Sequence, residues 1–434
     1  MNSNDISRFC RLSAALIAME LMHTQLYAQE VVEYGKDVRL PAPMATPSKT
    51  KLSKVIGWPD ERKPIAAQGY RVVKFAGDLN SPRWIYVAPN GDIFVSEART
   101  VKRGAERIKE LVSGKAKSRN ENLEVSSHQV ILFRDTDGDG RPDKQQVYLD
   151  GLNQPFGMLV LGDHFYVANT DALWRFPYDP EASSIVAEGE KLVDLPAGGY
   201  NNHWTRNIVA NADGSKIYIS VGSGSNVGEN GMEHEIRRAC IIEVNPDGTG
   251  ERIYASGLRN PVGMDWEPET GRLWTAVNER DELGDALVPD YITDVQEGGF
   301  YGWPYAYWGP NPDPNWEGKK EDLVSKSIVP DYALGSHTAS LGLAFSRSEA
   351  FKPGAYIGQH GSWNRSEFVG YKVLRVPFEN GEPSGMPEDF LTGFKADESK
   401  GTVYGRPVGV AFTKHGYMLV SDDAGNTIWA VLPE

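Results

Sequence analysis

At 434 residues the chain exceeds the usual single-core domain, and its 45 Gly, 27 Pro, 11 Trp, 19 Tyr and 15 Phe favour one large β array over two α/β domains. A formal net charge of −14 excludes polyanionic partners such as nucleic acid and argues against anionic membrane surfaces; a small neutral or cationic ligand suits it better.

Near the N-terminus, Arg8 and Arg11 precede an apolar run from Leu12 to Met19 and then Leu26-Tyr27-Ala28, the pattern of a secretory signal over 1–28. Export to the periplasm or the medium is therefore expected. No other apolar run is long enough to span a bilayer. Of two cysteines, Cys10 lies inside that signal, so the mature chain keeps only Cys240 and forms no internal disulfide; the absence of CxxCH excludes attached c-type haem. Residues 29–68 are rich in Pro and Lys, without periodicity, and read as an extended strap.

From residue 69 to the C-terminus one phrase recurs: a Pro or Gly turn, a short apolar strand, a Gly turn and a second strand that ends in polar residues. It stands as SPRWIYVAPNGDIFVSEA from Ser81, NPVGMDWEPETGRLWTAVNE from Asn260 and RPVGVAFTKHGYMLVSDD from Arg406, with three looser copies between. Six copies of period-2 strands predict an all-β fold, a six-bladed β-propeller of four-stranded antiparallel blades. A β-sandwich leaves the repetition unexplained.

In such an array the residues flanking each repeated strand converge on the central tunnel. That rule selects His203, Arg259-Asn260, Glu279 to Asp285, His337 to Ser340, His360 to Arg365, and Tyr404 with Arg406. His203, in the Gly/Asn-rich GGYNNHWTRN, is either a hydrogen-bonded loop histidine or a base for a sugar hydroxyl. Glu279-Arg280-Asp281-Glu282 is a charged loop. The aromatic block Phe300 to Trp308, laced with Gly298, Gly299, Gly302 and Pro304, is too rigid for a linker. Asp135, Asp137, Asp139 and Asp143, with Gly140 at the sixth position, match the first half of an EF-hand loop, but Gln146 stands where the bidentate Glu belongs. A structural calcium turn and an Asx-turn hairpin both fit.

GLRNPVG, NERDELGD and GGFYGWPY, in this order, resemble the soluble glucose/sorbosone dehydrogenases, propellers that hold pyrroloquinoline quinone (PQQ) and Ca²⁺; the likeness runs more thinly from Tyr70 to the C-terminus. The resemblance implies oxidation of a sugar or aldehyde hydrate at its anomeric carbon, with His203 as base, hydride passing to PQQ and electrons leaving to an external quinone or cytochrome. It places Arg259, Asn260, Glu279, Asp285, Arg365, Tyr404 and Arg406 around the cofactor and the backbone carbonyls of Arg280 and Asp281 on calcium. Two departures stand out: Glu279 replaces a Gln, and Ser223 replaces an Asp that orients the histidine. A lactonase-type metal hydrolase and a non-catalytic carbohydrate-binding propeller, with the aromatic block as platform, are the alternatives.

Overall fold

A computed structural model describes residues 30–101 and 126–434, so the expected secretory signal lies outside the described residues. Each repeated phrase folds as the inner part of an antiparallel sheet. Pro82–Val87, Ile93–Glu97, Gln129–Arg134 and Lys144–Leu149 make the first; Met158–Leu161, His164–Ala168, Ala172–Pro177 and Glu190–Asp194 the second. Ile208–Ala210, Ile217–Val221, Cys240–Val244 and Arg252–Ser256 form the third, and Pro261–Trp266, Leu273–Val277, Pro289–Asp294 and Tyr332–Ser336 the fourth. The fifth holds Ser340–Phe345, Gly354–Gln359, Lys372–Glu379 and Glu388–Thr392. In the sixth, Pro407–Phe412, Met418–Asp422 and Thr427–Pro433 take their fourth strand, Tyr70–Ala76, from the start of the chain.

The strands form because apolar residues cover both faces wherever two sheets meet. Ile93–Glu97, Ile217–Val221 and Leu273–Val277 are buried at every position, as expected of strands packed between two layers. Among the described residues the apolar core divides into six clusters, each joining successive sheets: Phe94 and Leu132 meet Phe165 and Val167, Leu173 meets Ile219, and so on round to Leu419 and Ile428, which meet Ile85 and Val95. The sixth sheet thus packs on the first, in a propeller-type arrangement. The Gly of the repeated phrase has a steric cause: a Cβ on Gly342 would lie 2.1 Å from the carbonyl oxygen of Val408, and one on Gly263 would lie 2.5 Å from the amide nitrogen of Leu343. Only Gly lets neighbouring inner strands approach so closely.

Antiparallel pairing sets the position of the site. Pro82 lies opposite Glu97, Pro261 opposite Val277, Ser340 opposite Gln359 and Pro407 opposite Asp422. Residues entering each first strand and leaving each second strand therefore share one end of the sheet. The strap is ordered against the later sheets: Tyr34–Gly35 pairs with Tyr332–Ser336 and Ile65–Ala66 with Glu388–Thr392.

Candidate active site

His203 is buried at that shared end. Its Nδ1 lies 2.9 Å from both the carbonyl oxygen and the Oγ of Ser223. A carbonyl only accepts, so Nδ1 carries the proton; the Ser223 hydroxyl donates onward to the carbonyl of Ser225 at 2.6 Å, leaving Oγ as a second acceptor. Ser223 thus fixes the tautomer without a carboxylate. Nε2 is left as the basic nitrogen, with the Nδ2 of Asn202 at 3.4 Å. Burial, assisted by the charge of Arg259, pushes the imidazole pKa well below its usual 6.5, so the ring is neutral at physiological pH.

Arg259 and Asn260 stand beside it. Gly222 makes this possible, because a Cβ there would fall 2.6 Å from the His203 Cβ and 2.4 Å from the Asn260 Oδ1. The Arg259 guanidinium donates to the carbonyls of Asn226 (3.2 Å), Asn278 (3.1 Å) and Glu279 (2.6 Å) and to the Asn226 Oδ1 (2.9 Å). Carbonyls hold a cation in place without cancelling its charge, and Asp281, at 3.4 Å, is its single carboxylate partner among the described residues. Asn260 Oδ1 is buried without a hydrogen-bond donor.

The charged loop closes the next side. Glu279 is buried and its pKa is pushed up to about 7 by desolvation, which the Arg259 charge opposes, so both of its protonation states are populated near neutrality. Asp281 faces His337, whose Nδ1 lies 3.2 Å from the Asp281 Oδ1 and whose Nε2 lies 2.8 Å from the Gly284 carbonyl. With an acceptor on each nitrogen His337 suits the imidazolium form: burial works against the charge, but the Asp281 carboxylate outweighs it and the pKa is raised. His337 is therefore a positioning cation rather than a base.

The remaining predicted residues divide. Arg406 donates to the carbonyls of His360 and Gly361, each at 2.8 Å, and His360 Nε2 lies 2.8 Å from the Asp423 carboxylate, which also pairs with Arg83. Burial and the neighbouring Arg406 hold the His360 pKa down at about 4. Tyr404 stacks on Trp58 of the strap at 5.1 Å, and the Trp58 indole donates to Asp422 at 2.6 Å. Arg365 is engaged bidentately by Glu33 at 2.6 and 3.1 Å, and Asp285 donates its amide to the Thr46 Oγ1 at 2.7 Å, so both bind the strap. Arg280 forms a buried ion pair with Asp313.

The ligands of the two calcium expectations are partly engaged by protein donors, although Asp135, Asp137 and Asp143 bring carboxylate oxygens within 4.8 Å of one another, a group that could hold a metal ion. The Asp281 carbonyl accepts from Arg280 Nε at 2.9 Å and Asn226 Nδ2 at 3.3 Å. Asp135 and Asp143 accept from the amides of Gly138, Gly140 and Thr136, and the Asp137 and Asp139 carboxylates each accept from the amide two residues on, the bonding of an Asx-turn hairpin. The aromatic block is core, not platform: Tyr301, Tyr307 and Trp308 pack in the cluster between the third and fourth sheets, and the Trp303 indole donates to the Asn226 carbonyl at 2.9 Å.

Sequence reasoning missed Asn226, which binds both Arg259 and Asp281, and Asp290, which is fully buried and accepts from the amides of Glu279 (2.9 Å) and Ser340 (2.7 Å). Asn226 follows the strand Ile217–Val221, where the flanking rule could have found it, whereas Asp290 stands at the start of Pro289–Asp294, a strand the rule does not cover.

A family model, TrAA12-like, matches residues 64–319 and 311–434. The chain belongs to the TrAA12-like family. An uncharacterized protein of Borreliella burgdorferi is 31% identical over 301 residues, 65% of this chain and 76% of that protein. The pyrroloquinoline quinone-dependent pyranose dehydrogenase of Coprinopsis cinerea is 24% identical over 435 residues, and the match takes in 84% of this chain but 54%, about half, of that enzyme. Among solved structures, the calcium structure of the Trichoderma reesei family AA12 enzyme superposes with a TM-score of 0.69 at 18% identity, covering 89% of this chain and 100% of that one. The holo form of the Coprinopsis cinerea pyranose dehydrogenase PQQ domain gives 0.67 at 20%, covering 88% and 100%. These superpositions bear on the fold.

Proposed function

We propose that this TrAA12-like protein is a PQQ-dependent dehydrogenase that oxidises a sugar at its anomeric carbon, built on six blades closed around the described site and exported from the cell. The observation that carries the reading is His203: a neutral imidazole with Nδ1 fixed by Ser223 and Nε2 left basic, with only the Asn202 amide at 3.4 Å, set beside a cation whose charge is only partly compensated. The residues suit a flat, polyanionic quinone. Asn260 Oδ1 lacks a donor, and Arg259, Arg406 and Arg83 lie along the rim with carbonyl partners or shared carboxylates.

PQQ, when bound, supplies a two-electron acceptor that an external quinone or cytochrome reoxidises. His203 Nε2 takes the proton of the C1 hydroxyl as C1 loses hydride, while Nδ1–H remains bonded to Ser223. Arg259, held by three carbonyls, stabilises negative charge that develops beside it without moving. Burial excludes bulk water from both groups. The calcium that the family resemblance implies would meet the carbonyls of Arg280 and Asp281, of which that of Asp281 already accepts from Arg280 and Asn226; no step is assigned to a metal.

Mixing the purified protein with PQQ and measuring bound-quinone absorbance, then dye reduction with a panel of aldoses, tests the proposal. Quinone binding with sugar-dependent dye reduction is expected. A chain that binds no PQQ is not this enzyme.

A further inference from the structure

Among the described residues no carboxylate bonds the His203 ring, yet one reaches it through a single peptide group. The Ser223 carbonyl accepts from His203 Nδ1 at 2.9 Å, and the N–H of the same peptide, that of Gly224, donates to Glu235 Oε2 at 2.7 Å. Carboxylate, planar amide and imidazole are therefore bonded in series. Negative charge on the N–H side of an amide shifts electron density onto its carbonyl oxygen, and hydrogen bonds linked in this way strengthen one another. The effect grows where water is excluded, and here Glu235 is 6% exposed and Ser223 wholly buried.

The surrounding residues hold this series in line. Gly224 allows it, because a Cβ there would lie 2.7 Å from the Tyr200 carbonyl oxygen and 3.3 Å from Glu235 Oε1. The short 3₁₀ turn Met232–His234 presents Glu235, whose amide donates to the Met232 carbonyl at 3.1 Å and whose own carbonyl accepts from the Arg238 amide at 3.1 Å. Ser225 fixes the second carboxylate oxygen: its hydroxyl donates to Glu235 Oε1 and accepts from the Gly228 amide at 3.0 Å. Arg238 feels the Glu235 charge but bonds Asn201 at 2.7 Å instead. The loop also ties the two halves of the site together, since the Gly224 carbonyl accepts from the Asn202 amide (3.0 Å) and the Ser223 amide donates to the Arg259 carbonyl (2.8 Å).

We propose that Glu235 is a positioning residue for His203, holding the ring and its tautomer through the Ser223–Gly224 peptide. The inference rests on His203 being the base of the proposed oxidation, and it adds the group that keeps that base oriented. As Nε2 takes a proton the ring becomes a cation, and the relayed carboxylate charge stabilises it. Glu235 itself exchanges no proton.

NMR of the cofactor-free protein carrying isotope-labelled histidine tests this, with His203→Ala identifying the signal. Wild type should show a His203 Nδ1–H protected from exchange; an Nε2–H tautomer overturns the relay without any variant. Glu235→Gln keeps the shape and removes the charge, so the Nδ1–H signal should move upfield as its bond weakens. In the PQQ-loaded variant kcat for dye reduction should fall about tenfold, the low end for a histidine's outer partner because a peptide intervenes. KM and quinone stoichiometry should stay within about twofold of wild type. Ser225→Ala removes an equally buried bond to Glu235 but leaves the relay, so it should lower Tm without moving the signal. A folded Glu235→Gln protein whose Nδ1–H signal stays in place overturns the proposal and leaves Glu235 a structural anchor. Where Glu235→Gln does not fold, Glu235→Asp, which withdraws the carboxylate from the Gly224 amide by one methylene, carries the same expectation. If the loaded wild type oxidises no sugar, the dehydrogenase reading falls while the NMR signal still decides the relay.

Discussion

Arg365 separates two accounts of the same residue, because sequence likeness places it at a cofactor and the structure places it on the strap. Its guanidinium meets both Glu33 oxygens, at 2.6 and 3.1 Å, and Glu33 in turn receives the amides of Gly335 (2.9 Å, through its carbonyl) and Ser336 (3.1 Å, through Oε2). A charge-assisted hydrogen bond contributes about 1.5–3 kcal/mol when shielded from water. The side chains here are 17% and 13% exposed, so solvent screening reduces the pair to about 1–2 kcal/mol. Arg365→Met should then raise local opening of the strap about 5- to 30-fold. Native-state hydrogen exchange reads this at the amides of Gly335 and Ser336, with amides of the first and second sheets as unaffected controls. PQQ affinity should stay within about twofold of wild type, less than 1 kcal/mol. Unchanged protection of those two amides together with a large loss of PQQ affinity would refute the clamp and restore Arg365 to the cofactor.

Three further outcomes are expected. Arg280→Met strands the Asp313 carboxylate, whose side chain is 2% exposed, at a cost of about 3–5 kcal/mol; with about 2.1 cal/mol/K per residue this lowers Tm by roughly 3–5 °C, and Arg280→Met/Asp313→Asn should recover most of it in a thermal melt. Because the His337 pKa is raised in the folded chain by Asp281, its contribution is complete below the unfolded value near 6.5 and is lost as pH rises through the folded value. The stability gap between wild type and His337→Gln in denaturant melts should therefore narrow above about pH 6.5; a gap that widens there contradicts the imidazolium assignment. Cys240 is 1% exposed and burial pushes its thiol up to about 12, so a thiol reagent should label Cys240 after denaturation and not before, as peptide mapping would read.

Much of the fold was legible because the repeated phrase has a local cause. A Gly at the close approach of inner strands and alternating apolar residues recur wherever a sheet must pack on the next, as at Gly263 and Gly342. The rim was legible by the same logic: His203, Arg259, Asn260, Glu279 and His337 flank inner strands and meet in one cluster. Partners were not legible. That Ser223 replaces a carboxylate for His203, that Glu33 claims Arg365 and that Trp58 reaches Asp422 are contacts between residues up to 364 apart in sequence, fixed by packing that no local pattern encodes. The aromatic block misled for a related reason. Trp and Tyr serve equally as core and as ligand platform, and burial alone distinguishes them.

Turnover by a PQQ-loaded His203→Ala protein tests the central claim most directly. Arg259 and Asn260 remain in this variant, so the quinone absorbance should persist at wild-type stoichiometry. Sugar-dependent dye reduction should fall about 10²- to 10⁴-fold, the usual contribution of a positioned base. Near-wild-type oxidation by the quinone-loaded variant would contradict the assignment and turn attention to His360, which has the carboxylate partner that His203 lacks.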